Sequence, residues 1–221
     1  MATRRILDAV RLFDALPEDV RGALSAQMVT RRYARGDHLF HQGDPATELF
    51  VVLEGRVAIA SQSGDGREAV IVILDRGGLF GELALFDDAP RSANGRAVTD
   101  TEVACLPYES VRSVLREKPD LLWVMVRLLA ERLRATDEAL ADAIFLDVPA
   151  RTAKRLLELS DGQDHFVVPL TQEEMASMIG ASRERVNKAI ALFAKLGWIA
   201  LEGRGRYQIL DRPALEDRAL L

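Results

Sequence analysis

Between Phe80 and Ala93 the chain reads Phe-Gly-Glu-Leu-Ala-Leu-Phe-Asp-Asp-Ala-Pro-Arg-Ser-Ala. Gly81 has no Cβ, so its backbone can come close to a ligand. Gly81, Glu82 and Leu83 can open a helical turn whose first N–H groups point outward and favour an anion. Glu82 can accept hydrogen bonds from sugar hydroxyls. Arg91 offers a fixed fork of donors that suits a phosphate, with the Ser92 hydroxyl beside it and the Ala93 backbone next. A lone Gly-Glu-Leu is commonplace, and so is a lone loop arginine. Anion donors and a sugar acceptor held in one loop describe a nucleotide pocket.

A second constellation lies near the C-terminus. Thr171-Gln172-Glu173-Glu174 matches a capping box, with Thr171 as N-cap and Glu174 three residues on. Gly180 turns the chain and Ser182 caps a further helix running to about Leu196. Val186, Ala189, Ile190 and Phe193 share its inward face, which leaves Arg183, Glu184, Asn187 and Lys188 outside near its start. Helix, glycine turn and a second helix with polar residues at its N-terminus predict a helix-turn-helix. The stretch from Leu201 to Ile209 follows as a basic hairpin, a wing whose Arg204 and Arg206 can approach phosphates.

The rest of the chain must position these two groups. Its 221 residues are 48% hydrophobic, enough for one or two domains with their own cores. The net charge of −5 means that any contact with DNA must come from a local basic patch. The single cysteine, Cys105, sits in the apolar run 103–106 and is expected in the core; one cysteine excludes an internal disulfide and a four-cysteine iron–sulfur sensor. No apolar run approaches the roughly 18 residues that span a bilayer, and the N-terminus lacks a signal-peptide core. A cytoplasmic protein with no membrane partner is expected.

In chain order, residues 4–27 read as helical, with Ile6, Val10, Phe13 and Leu16 at helical spacing. From 28 to 107 short apolar segments alternate with glycine turns, which predicts a sandwich or barrel. His38 and His41 lie three apart without a third ligand and, like His165, read as strand-edge side chains, so no metal is expected. Residues 109–145 form the longest periodic segment. Leu122, Val126, Leu129, Leu133, Thr136 and Leu140 make a narrow seam suited to self-association. Pro149 disfavours helix at Val148 and predicts a hinge at 147–149, followed by a helix over 151–159. No nucleophile–base pair is visible, so an enzyme is not expected.

The segment Gly81-Glu82-Leu83 followed by Pro90-Arg91-Ser92-Ala93 resembles the phosphate-binding cassette of the cyclic-AMP receptor protein (CRP/FNR) family, and the glycine-punctuated strands before it resemble that family's β-roll. The resemblance extends to Gly180-Ala181-Ser182-Arg183-Glu184, Val186 and Lys188, which are similar to the recognition helix of members that read TGTGA half-sites. It implies an α+β fold: helices and a β-roll (a double-stranded β-helix or jelly roll) over 1–115, a dimerisation helix over 116–146 and a winged helix-turn-helix over 147–221. It implies cyclic AMP as allosteric effector, with Glu82 on the ribose 2′-hydroxyl, Arg91 and Ser92 on the cyclic phosphate, backbone contacts near Gly81, Leu83 and Ala93, and Thr136 on the adenine. In the family a small polar residue follows that threonine; here it is Asp137. A carboxylate can accept from an adenine amine and can also repel an anion, so a regulator of the same fold that needs no cyclic AMP, or answers to another ligand, stays open. For DNA the resemblance implies Arg183 on guanine, Glu184 on a cytosine amine, Lys188 as third reader, and Thr171 and Arg185 on phosphates. Homodimerisation, double-stranded DNA and RNA polymerase follow as partners.

Overall fold

The computed structural model describes residues 17–62, 64, 68–168, 170–203 and 205–220. The expected helical positions Ile6, Val10, Phe13 and Leu16, and the wing residue Arg204, lie outside the described residues. The chain divides into two compact units, Met1–Glu131 and Arg132–Leu221.

Among the described residues, the first element of the first unit is helix α1 (Glu18–Gln27), which buries Val20 and Leu24. Eight strands follow: β1 (Val29–Tyr33), β2 (His38–Phe40), β3 (Glu48–Glu54), β4 (Val57–Gln62), β5 (Glu68–Leu74), β6 (Leu79–Phe80), β7 (Asn94–Ala97) and β8 (Thr101–Pro107). They form two four-stranded antiparallel sheets, in the orders β1-β8-β3-β6 and β2-β7-β4-β5. A short helix α2 (Leu83–Asp87) sits between β6 and β7, and α3 (Tyr108–Glu117) leaves directly from β8.

Strand β3 explains the architecture. Side chains alternate faces along a strand. Phe50 and Val52 enter one core cluster with Val57, Phe80, Val103 and Cys105. Leu49 and Val51 enter another with Val20, Leu24, Ala84, Leu85 and Val111, from the three helices. Both faces are therefore covered, which is why an antiparallel strand reads as the unbroken apolar run 49–53. Full burial of each such side chain stabilises by about 1.5–3 kcal/mol. Cys105 is buried as expected, and that burial pushes its thiol up to about 11.

The long periodic segment is two helices rather than one. Pro119 restricts the residue before it, and Lys118 takes φ −130° and ψ 75°. α3 ends at Glu117, a single 3-10 turn spans Pro119–Leu121, and α4 runs over Leu122–Phe145. The apolar stripe continues through the break, which is why periodicity alone missed it.

The second unit holds α5 (Val148–Ser160), β9 (His165–Val167), α6 (Gln172–Ile179), α7 (Arg183–Lys195), β10 (Ile199–Gly203), β11 (Arg206–Ile209) and α8 (Arg212–Ala219). Here the expectation for Pro149 is corrected. Val148 is already helical, and the proline sits in the first turn of α5, where a missing N–H costs nothing. Asp147 caps the helix by accepting from the Ala150 amide at 2.8 Å. It also pairs with Arg218 of α8, both carboxylate oxygens lying 2.6 Å from one guanidinium nitrogen. Burial raises its pKa, but the Ala150 amide and Arg218 more than offset this and hold the carboxyl below its usual range. The core gathers Leu156, Met175, Ile179, Val186, Ile190, Phe193, Tyr207 and Leu215. β9, β10 and β11 form the wing sheet, in the order β10-β11-β9.

Candidate functional sites: an arginine-centred cassette and a reading helix

In the first unit, β6 delivers the chain into Gly81 at φ +73°, a region that side chains rarely adopt. A Cβ there would lie 2.6 Å from Arg91 Nη1 and 3.2 Å from Phe50. Glycine is thus required by conformation and by space. Glu82 follows, only 1% exposed, and precedes α2, whose Leu83 is 45% exposed. The helix is held at its far end by α3: Arg112 donates to the Leu85 carbonyl at 3.0 Å and pairs with Asp88, the residue in left-handed conformation that closes α2.

Arg91 is buried, at 7% exposure. Its backbone is pinned by the turn after β2: Gly43 donates to its carbonyl at 2.8 Å, and its own amide donates to the Asp44 carbonyl at 2.9 Å. Its guanidinium lies over the Phe40 ring, 4.4 Å from the centroid. Nη1 donates to the Gly81 carbonyl (2.8 Å) and to the Tyr108 hydroxyl (3.1 Å), and Nη2 donates to the Glu48 carbonyl (2.7 Å). Each of these acceptors is neutral. Nε is buried and has no hydrogen-bond partner among the described residues. A desolvated cation held by neutral dipoles, with a donor unmet, has the chemistry to take an anion.

Gly81 and Arg91 therefore meet directly, with Glu82 adjoining. Ser92 is exposed and Ala93 buried. Thr136 and Asp137 lie on the exposed surface of α4 in the second unit, the Thr136 hydroxyl donating to the Arg132 carbonyl at 2.9 Å. Tyr108 is the member that the sequence reading missed. It is 5% exposed, its hydroxyl donates to the Gly81 carbonyl, and burial pushes its pKa up, Glu82 adding to the rise and Arg91 opposing it. The only local signal was a tyrosine at the end of an apolar strand. His38 and His41 stack with centroids 4.4 Å apart; burial, then His41, lowers the His38 pKa. Among the described residues no group of three or more potential ligands could hold a metal ion.

In the second unit the capping box is formed in full: Glu174 N donates to Thr171 Oγ1 at 3.1 Å, and Thr171 N donates to Glu174 Oε2 at 2.8 Å. Gly180 closes α6 at φ 67° and Ser182 caps α7, accepting from Arg185 N at 3.4 Å. Val186, Ala189, Ile190 and Phe193 are buried, which turns the opposite face of α7 outward. Thr171, Ser182, Arg183, Glu184, Arg185, Lys188 and Arg206 are exposed. Lys188 Nζ donates to Glu184 at 2.6 Å, and that bond, with the lysine charge, lowers the Glu184 pKa.

A β-roll, followed by a long helix and a winged helix-turn-helix, is the architecture of a DNA-binding regulator. Residues 30–118 match the cyclic nucleotide-binding domain, and residues 150–218 match the Crp-like helix-turn-helix domain. The chain belongs to the CRP/FNR family of transcription regulators. It is 38% identical to the CRP-like cAMP-activated global transcriptional regulator of Mycobacterium tuberculosis, across 97% of this chain and 98% of the relative. It is 32% identical to the cAMP-activated global transcriptional regulator Vfr of Pseudomonas aeruginosa, across 82% and 89%. Among solved structures it resembles the catabolite activator protein of Thermus thermophilus, at TM-score 0.54 and 32% identity across 95% and 98% of the chains. The regulator CLP of Xanthomonas campestris, described as c-di-GMP responsive, gives TM-score 0.76 and 25% identity across 87% and 99%. Among the described residues no helix is long and apolar enough to cross a membrane.

Proposed function

We propose that this chain is a cyclic-AMP-responsive, homodimeric transcription regulator that reads TGTGA-type palindromic half-sites in the cytoplasm. The observation that carries the ligand half of this reading is the buried Arg91, with neutral acceptors and an unmet Nε donor. Arg91 and Ser92 take the cyclic phosphate, Glu82 the ribose 2′-hydroxyl, and the backbone at Gly81, Leu83 and Ala93 closes the cassette. Thr136 takes the adenine, with Asp137 beside it. The relatives from Mycobacterium tuberculosis and Pseudomonas aeruginosa, both named as cAMP-activated, support cyclic AMP as the effector.

On DNA, Arg183 reads guanine with its two-pronged fork, Glu184 accepts from a cytosine amine, and Lys188 is the third reader. Thr171, Ser182, Arg185, Arg204 and Arg206 hold phosphates. Supporting this, Glu184 and Lys188 are held to each other on one exposed face of α7. Two copies join through α4, whose Leu122, Val126, Leu133 and Leu140 are 41–62% exposed in the isolated chain. The division 1–115, 116–146 and 147–221 separates sensor, dimer helix and DNA reader. Ligand binding shifts the population towards a state whose recognition helices match successive major grooves, ~34 Å apart. RNA polymerase is the downstream partner.

A second reading, an effector other than cyclic AMP, has two supports: Asp137, and the c-di-GMP-responsive relative from Xanthomonas campestris. Calorimetry with cyclic AMP, cyclic GMP and c-di-GMP decides between them. The first reading requires cyclic AMP to bind tightest, and a preference for either other nucleotide would replace it with the second.

A further inference from the structure

Arginine carries five N–H donors in a rigid plane. In Arg91, Nη1 is committed to Gly81 and Tyr108, and one Nη2 hydrogen to Glu48. What remains is the Nε hydrogen and one further Nη2 hydrogen. Nε and Nη2 share one edge of the guanidinium, the edge that grips two oxygens of one oxyanion. Nε is the buried donor without a partner among the described residues. The orientation of the plane is set from the opposite corner. There the Tyr108 hydroxyl donates to the Gly81 carbonyl and accepts from Arg91 Nη1 at 3.1 Å, so that three groups share one corner. Stacking over Phe40 fixes the height of the plane but not its rotation within it. Tyr108 begins α3 and is itself 5% exposed, so its hydroxyl has little freedom to turn elsewhere.

We propose that Tyr108 is a positioning residue for the anion end of the ligand: its hydroxyl, shared between the Gly81 carbonyl and Arg91 Nη1, keeps the guanidinium turned so that the Nε–Nη2 edge is left for one oxyanion. This rests on the reading of Arg91 as the phosphate residue. In this role Tyr108 acts through the arginine, which it touches. Without the hydroxyl the Nη1 corner keeps one acceptor instead of two, and the plane can rotate within its stack. Hydrogen bonds to charged groups contribute about 1.5–3 kcal/mol, so the loss should read as a roughly 10- to 100-fold weaker affinity for the anionic ligand. The arginine would then meet the anion less directly, and the affinity would respond less to salt.

The test is calorimetry of the full chain with cyclic AMP at several salt concentrations, for the wild type and for Tyr108→Phe, with thermal melting of both in the absence of nucleotide. The expected result is tight wild-type binding, a 10- to 100-fold loss in Tyr108→Phe and a flatter salt dependence. Unchanged affinity in the variant overturns the role of Tyr108 while the cassette assignment stands. Weaker binding with the wild-type salt dependence also overturns it, because the hydroxyl then serves only the fold. A wild type that ignores cyclic AMP overturns the ligand reading and this inference together. An independent check needs no variant. The Arg91 Nε–H NMR resonance of the wild type should move on adding cyclic AMP, and an unmoved resonance at saturation overturns the donor-edge assignment.

Discussion

Arg91 is held by two carbonyls, a phenol and an aromatic face, with no carboxylate among these partners. Removing it should eliminate the strongest cation of the cassette. Arg91→Ala is expected to weaken cyclic-nucleotide binding by at least ~100-fold by calorimetry, given about 1.5–3 kcal/mol per charge-assisted hydrogen bond and more than one such bond to a phosphate. Unchanged affinity would contradict the assignment. The reading helix gives a second prediction at this scale. Arg183→Ala should cost about 1–3 kcal/mol and relax preference at one base pair, whereas Arg206→Ala should weaken all sequences alike and flatten the salt dependence. Binding to single-substitution versions of a TGTGA palindrome distinguishes them, and an equal loss on every sequence for Arg183→Ala would make it a phosphate contact only. Gly81, Glu82 and Arg91 stand out in the sequence by residue type and spacing, and the structure brings Gly81 and Arg91 together. Tyr108 does not stand out, because its contribution depends on α3 turning back over the cassette, and no local pattern encodes that contact.

Among the elements, α6 and α7 were read correctly because their caps are local: a threonine with a glutamate three residues on, a glycine, a serine. The break at Pro119 was missed because the apolar stripe of α3 and α4 keeps its period while the backbone does not. α8 was missed as well, being short and weakly patterned, although Asp211 caps it through the Ala214 amide. The start of α5 carries a testable ion pair. The Asp147 carboxyl lies below its usual value in the folded chain, so its contribution is present above about pH 4 and is lost as pH falls through the folded pKa. With its side chain 56% exposed, solvent screening keeps the effect small. Asn still caps the helix, so Asp147→Asn should cost only the ion pair, about 0.2–1 kcal/mol at neutral pH, and should remove one step from acid unfolding, followed by thermal melting from pH 7 to pH 2. An unchanged melting profile would mean that the Arg218 pair contributes nothing. For α4, Leu133 is 62% exposed, which suits a partner helix. Leu133→Asp would bury an unpaired charge in that seam and should give monomers by light scattering. A variant that remains dimeric would place the interface elsewhere.

At the scale of the whole molecule, the order of modules was legible from motif order alone: cassette, periodic helix, helix-turn-helix. Composition contributed one constraint, the net charge of −5, which requires any DNA contact to come from a local basic patch. The proposed allosteric coupling between ligand and DNA binding would be a difference in free energy between states, and no residue pattern encodes such a difference. A ligand shifts an equilibrium only by its differential affinity for the two states, so the central claim rests on linkage between two measurable bindings. The most direct measurement is the affinity of the full chain for a TGTGA palindrome at fixed salt, with and without saturating cyclic AMP. The account predicts tighter binding with the nucleotide by at least fivefold, the lower end of ordinary allosteric coupling, and no enhancement in Arg91→Ala. Equal affinity with and without cyclic AMP, in a wild type that binds both ligands, would contradict it.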